Sequence, residues 1–82
     1  MLRTVHLWGG LRPAVDGAES VEIHAETIRE LMRVLVEQYP KLQSQLDAGI
    51  AVSINGTIFR DDWSQQLPVD AEIYLLPRIE GG

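Results

Sequence analysis

Cysteine is absent from this chain. That one absence excludes structural disulfides, thiolate zinc sites, iron–sulfur clusters and a cysteine nucleophile together. Lysine occurs once, at Lys41, and phenylalanine once, at Phe59. Positive charge is scarce: Lys and Arg total 7 against 12 Asp and Glu, a formal net charge of −5. The balance counts against nucleic acid and anionic membrane as partners, since both select basic faces. It is compatible with a partner protein that presents basic groups. No apolar run approaches membrane-spanning length, and the one in Met1–Trp8 is too short for a signal peptide. A cytoplasmic location is the expectation. With no repeat, low-complexity segment or linker in 82 residues, one domain spanning 1–82 is expected.

What is present is an alternation of two hydrophobic periods. Thr4 to Trp8 has period two, with Val5 and Leu7 on one side and Thr4, His6 and Trp8 on the other, which predicts a strand with one buried face. Gly9-Gly10 ends it, and residues 11–17 read as a loop. Val21-Glu22-Ile23 predicts a second strand. The period then becomes helical: Ile28, Leu31, Met32, Leu35, Val36 and Tyr39 form one stripe. Thr27-Ile28-Arg29-Glu30 is a capping box, with Glu30 expected to reach back to the Thr27 amide. Pro40 marks the helix end. Residues 41–47 suit a short extra turn, broken at Ala48-Gly49. Ile50–Ile54 and Thr57–Arg60 read as strands joined by an Asn55-Gly56 tight turn, because both turn residues tolerate positive φ. After a polar loop at Asp61-Asp62-Trp63-Ser64 and a turn at Leu67–Ala71, Glu72–Leu76 is the last strand.

Catalytic constellations are thin. His6 and His24 are far apart and lack a carboxylate at metal-ligand spacing, so ordinary surface histidines are the reading. Asp61-Asp62 is explained by turn chemistry. Ser53, Thr57 and Ser64 have no base or nucleophile elbow nearby. Gly9-Gly10 lacks the lysine and hydroxyl residue of a phosphate loop.

The order strand, strand, helix, strand, strand, strand requires one helix covering one face of one sheet. The first and last strands are the most apolar and belong side by side at its centre. This predicts an α+β ubiquitin-like β-grasp: a mixed sheet of four to five strands with one main helix on one face. The chain ends in a tail, 77–82, that closes with Gly81-Gly82. Glycines at a chain end leave a bare carboxylate on a tether slim enough for a narrow channel.

The capped helix, Val52-Ser53-Ile54-Asn55-Gly56, the stretch Leu67–Pro77 and Gly81-Gly82 together resemble the ubiquitin-like sulfur carriers of the MoaD/ThiS type. These include the small subunit of molybdopterin synthase and the thiamine-pathway sulfur carrier. The resemblance covers nearly the whole chain. Leu11-Arg12 and Pro77 fit the molybdopterin type, whereas Val69-Asp70-Ala71-Glu72 stands where the family usually has Gly-Asp-Glu, so the subfamily stays open. The resemblance implies a carrier rather than an enzyme, with chemistry at Gly82 and Gly81 as its slim neighbour. An E1-like adenylating enzyme would use ATP to make an acyl-adenylate there, and sulfur from a persulfide would leave a thiocarboxylate. A sulfur-acceptor enzyme, such as the large subunit of molybdopterin synthase, would receive it. No cofactor bound to the chain itself is implied. A carrier for thiamine or another sulfur metabolite, or a protein modifier conjugated through Gly82, would use the same activated end. A plain interaction module with inert glycines is the remaining alternative.

Strand parity supplies a docking face independently. If Val5, Leu7, Val52, Ile54, Phe59, Ile73 and Leu75 face the helix, then His6, Trp8, Ile58, Tyr74 and Leu76 lie outside. Such a patch marks a partner site, with Trp and Tyr as anchors. The competing reading is that Arg3, Arg60 and Arg78 fold over it. Trp8, Ile58 and Leu76 stand where the molybdopterin type has interface residues. The expected partner-binding set is therefore Trp8, Ile58, Tyr74 and Leu76, with Arg12, Arg78 and Ile79.

Overall fold

The computed structural model describes residues 1–60 and 62–77. Five strands, β1 (Leu2–Leu7), β2 (Ser20–His24), β3 (Ile50–Ile54), β4 (Thr57–Phe59) and β5 (Ile73–Pro77), form one sheet in the order β2-β1-β5-β3-β4. β1 and β5 are parallel neighbours at the centre, and the other pairs are antiparallel. The expected mixed β-grasp sheet is the one observed. α1 (Ile28–Gln38) covers one face, and α2 (Leu42–Ala48) follows it.

Parity in the central strands is as read from the sequence. Val5, Leu7, Val52, Ile54, Ile73 and Leu75 are buried against Ile28, Leu31, Met32 and Leu35 of α1, with Phe59 packed at the margin. Two details of α1 differ. Val34, rather than Val36, packs against the core on the flank of the stripe. Glu30 does not close the box on Thr27: the Thr27 hydroxyl accepts from the Glu30 amide at 3.2 Å, but the Glu30 carboxylate accepts from the Glu26 amide at 2.9 Å. The reason is that residues 26–28 pair with another segment. The amides of Ile28 and Arg29 donate to the carbonyls of Gln65 and Trp63, and Leu67 donates to Glu26. The loop from 62 onward thus runs under the start of α1, pinned by Trp63 and Leu67.

The segment after β1, expected as a loop, is a 3-10 helix over Gly9–Val15. Leu11 and Val15 are buried and hold it to the core, a spacing too short to stand out as a helix in sequence. Pro77, expected to begin the tail, is the last residue of β5, opposite Ile50. At that point β1 has already left the sheet, so Pro77 pairs on one side only. Arg3 lies on the helix side of β1, almost wholly buried, and does not fold over the outer face.

An apolar cleft on the open face of the sheet

The face of the sheet opposite α1 carries the side chains that parity assigns to it. His6 and Tyr74 are opposed in the parallel β1–β5 register and stack, with ring centroids 4.7 Å apart and an interplanar angle of 25°. Beyond them, Trp8, Ala51, Ile58, Arg60, Leu76 and Pro77 line a cleft of about 250 Å³. Trp8 is 51% and Ile58 52% exposed, far more than solubility asks of such large apolar groups. Ala51, opposite Leu76, is buried although it faces outward, because larger neighbours rise around it.

The backbone of Trp8 is held on both sides. Its amide donates to the Leu75 carbonyl at 3.1 Å, and its own carbonyl accepts from the Leu11 amide at 2.8 Å. The first bond ties the wall of the cleft to β5; the second starts the 3-10 helix. Arg12, further along that helix, donates from Nε to the Leu7 carbonyl at 3.3 Å. Arg12 and Arg60 therefore place two cations near this end of an otherwise acidic protein.

Of the partner-binding residues expected from sequence, Trp8, Ile58 and Leu76 come together in the cleft and Tyr74 stands beside them, whereas Arg12 is outside the lining and hydrogen-bonds the Leu7 carbonyl. Arg78, Ile79, Gly81 and Gly82 lie outside the described residues, as does Asp61. Arg60, which the competing reading placed over this face, does line the cleft, whereas sequence reasoning missed Ala51 and Pro77. Parity could have found Ala51, which is out of phase with Val52, just as it puts Arg60 in phase with Ile58. Among the described residues, no three His, Asp or Glu side chains gather as metal ligands, and no helix is long and apolar enough to cross a membrane.

The ThiS family matches residues 5–82 of the sequence. The chain belongs to the ThiS family. Its members are small ubiquitin-like sulfur carriers. No curated protein sequence matches. Solved structures do. SAMP1 from Haloferax volcanii superposes with a TM-score of 0.78 at 22% identity, with both chains fully covered. CysO in the Amycolatopsis orientalis BexX/CysO complex gives 0.76 at 22% identity, covering 96% of this chain and 98% of that one. At those identities the likeness shows the fold alone. The complex of subunits 1 and 2 of the molybdopterin-converting factor from Helicobacter pylori gives 0.70 at 26% identity, both chains fully covered. The small archaeal modifier protein 1 of Methanosarcina acetivorans gives 0.73 at 26%, covering 99% of this ThiS-family chain and 96% of its own. Two of these neighbours are complexes with a second protein.

Proposed function

We propose that this ThiS-family protein carries sulfur as a thiocarboxylate on Gly82, as the small subunit of molybdopterin synthase. The observation that carries the reading is the match to the family through Gly81 and Gly82, joined to a cleft that borders β5, the strand leading toward them. A carboxylate is a poor electrophile until an oxygen becomes a leaving group. An E1-like partner would let the Gly82 carboxylate attack the α-phosphorus of ATP, releasing pyrophosphate and forming an acyl-adenylate. The terminal sulfur of a persulfide then attacks the acyl carbon and AMP departs. A thiol cleaves the resulting S–S bond, leaving the thiocarboxylate and a disulfide.

The folded body supplies placement. Trp8, Ile58, Tyr74 and Leu76 would dock the partner, with Arg12, Arg78 and Ile79 beside them, so that the end of the chain reaches a reactive centre already oriented. The large subunit of molybdopterin synthase would use the same face when it accepts sulfur. The likeness to the Helicobacter pylori molybdopterin-converting factor supports this choice of pathway. A second reading has an observation of its own: an archaeal modifier protein is equally similar, at 26% identity. In that reading a target lysine, rather than a persulfide, attacks the activated Gly82.

The test is intact mass after co-expression with an adenylating enzyme from the same genome. A gain equal to one oxygen replaced by one sulfur supports the carrier. Conversion of a pterin precursor on adding a molybdopterin synthase large subunit supports the pathway. Lysine peptides branched with Gly-Gly support the modifier instead, and an unmodified mass under all conditions overturns both.

A further inference from the structure

The glycine pair after β1 splits into two unlike positions. A Cβ built on Gly9 meets nothing within 4 Å. A Cβ on Gly10 would fall into the Trp8 indole, overlapping Cζ3 and standing 2.6 Å from Cε3 and 3.0 Å from Cη2. Gly10 is not among the residues of positive φ, so backbone freedom does not account for it. What accounts for it is the ring that lies across it.

We infer that Gly10 is a positioning residue that seats the Trp8 indole as the wall of the apolar cleft and thereby sets the shape presented to the adenylating partner. The inference rests on the docking role proposed above. Three observations support it. The Trp8 backbone is tied to Leu75 on one side and Leu11 on the other, so the position of the ring is a matter of its own rotamer. The Trp8 side chain is half exposed, so it borders solvent rather than the core. The opposite wall, Ile58, lies on β4, separated from β1 by β5 and β3, so it is not tied to the ring. A side chain at Gly10 would therefore open the cleft while leaving the core intact. Alanine also holds a helical turn better than glycine, so the fold should not suffer.

The experiment uses the full chain and four variants: Gly10→Ala, Gly9→Ala, Trp8→Ala and the double variant Trp8→Ala/Gly10→Ala. The indole N–H signal of Trp8 is followed by NMR, melting by circular dichroism, and adenylation by the enzyme that accepts the wild type. Gly10→Ala is expected to shift the Trp8 indole signal and to raise KM for the carrier about tenfold, as for a displaced aromatic anchor. kcat and melting temperature should hold, and Gly9→Ala should change neither signal nor KM. In the Trp8→Ala background the second substitution should add nothing, because the two residues act through one contact. An unmoved indole signal in Gly10→Ala overturns the inference. So does an unchanged KM, or an equal rise in KM with and without Trp8. If no adenylating enzyme accepts the wild type, the functional reading falls, and the indole signal alone then decides the seat.

Discussion

Arg3, on the first strand, donates from its guanidinium to the Leu67 carbonyl at 2.9 Å, linking chain positions 64 apart. The same side chain donates from Nε to the Ala25 carbonyl at 2.9 Å and from Nη1 to that of Pro68. It is 3% exposed, with Glu26 as its charge partner at 3.3 Å. An inward position that strand parity would fill with an aliphatic residue instead fastens the approach to β5 onto the end of β2.

Replacing Arg3 by Met should therefore cost more than its hydrophobicity returns. The Ala25 and Leu67 carbonyls would be left buried and unpaired, which corresponds to a loss of about 3 kcal/mol at typical values per group. Arg3→Lys keeps the charge but not the fork, and should lose roughly half as much. Urea denaturation measures both; equal stability of Arg3→Met and wild type would show that water satisfies these carbonyls.

Glu26 makes the stability pH-dependent on the acid side. The hydrogen bond from the Met1 amino group, then its charge, hold the carboxyl below its ordinary value of 4.5, and Arg3 adds a smaller share. A carboxylate whose pKa is depressed by folding stabilises the fold above its unfolded value, and loses that contribution as pH falls through the folded value. Wild type should thus exceed Glu26→Gln in stability above pH 4.5, with the gap closing below it. Acetylating the amino group should remove most of the gap, and thermal melts across pH 2–7 would reveal it.

Asn55 serves the hairpin in two ways. It adopts φ 51° ahead of Gly56 at 88°, and its side-chain oxygen accepts from the Glu72 amide at 2.9 Å. Asn55→Gly keeps the backbone and loses the acceptor, at about 1 kcal/mol. Asn55→Ala also pays for the left-handed conformation, about 2 kcal/mol in all. Chemical denaturation should rank wild type above Gly above Ala.

If the proposed function holds, the docking face and the chain end are separable. Ile58→Asp should leave melting nearly unchanged, since the side chain is half exposed, while raising KM for the adenylating enzyme more than about 30-fold, the loss of one anchor. Deleting Gly81 and Gly82 should abolish acyl-adenylate formation with melting unaffected. A truncated chain that still turned over would place the chemistry elsewhere.

Most of the architecture was legible because period two, period 3.6 and turn chemistry signal in turn along this chain. Val5 and Leu7, the stripe from Ile28 to Leu35 and Asn55-Gly56 each declare one element through neighbours close in sequence. The outward set Trp8, Ile58, Tyr74 and Leu76 followed from the same parity. What escaped depends on partners far away in the chain. Glu30 turned from Thr27 to Glu26 because residues 63–67 occupy the approach to α1. Pro77 stayed in β5 because β3 continues past the point where β1 departs.

The residues alone therefore determined the five strands, α1, the apolar buried face of the central strands and the family, because each is written in local spacing or in a motif. Only the tertiary structure decided that Arg3 is a buried clasp, that His6 stacks on Tyr74, and that Gly10 makes room for a ring. Those assignments depend on which distant atoms come within a few ångströms, and that is set by strand register and packing rather than by any pattern along the chain.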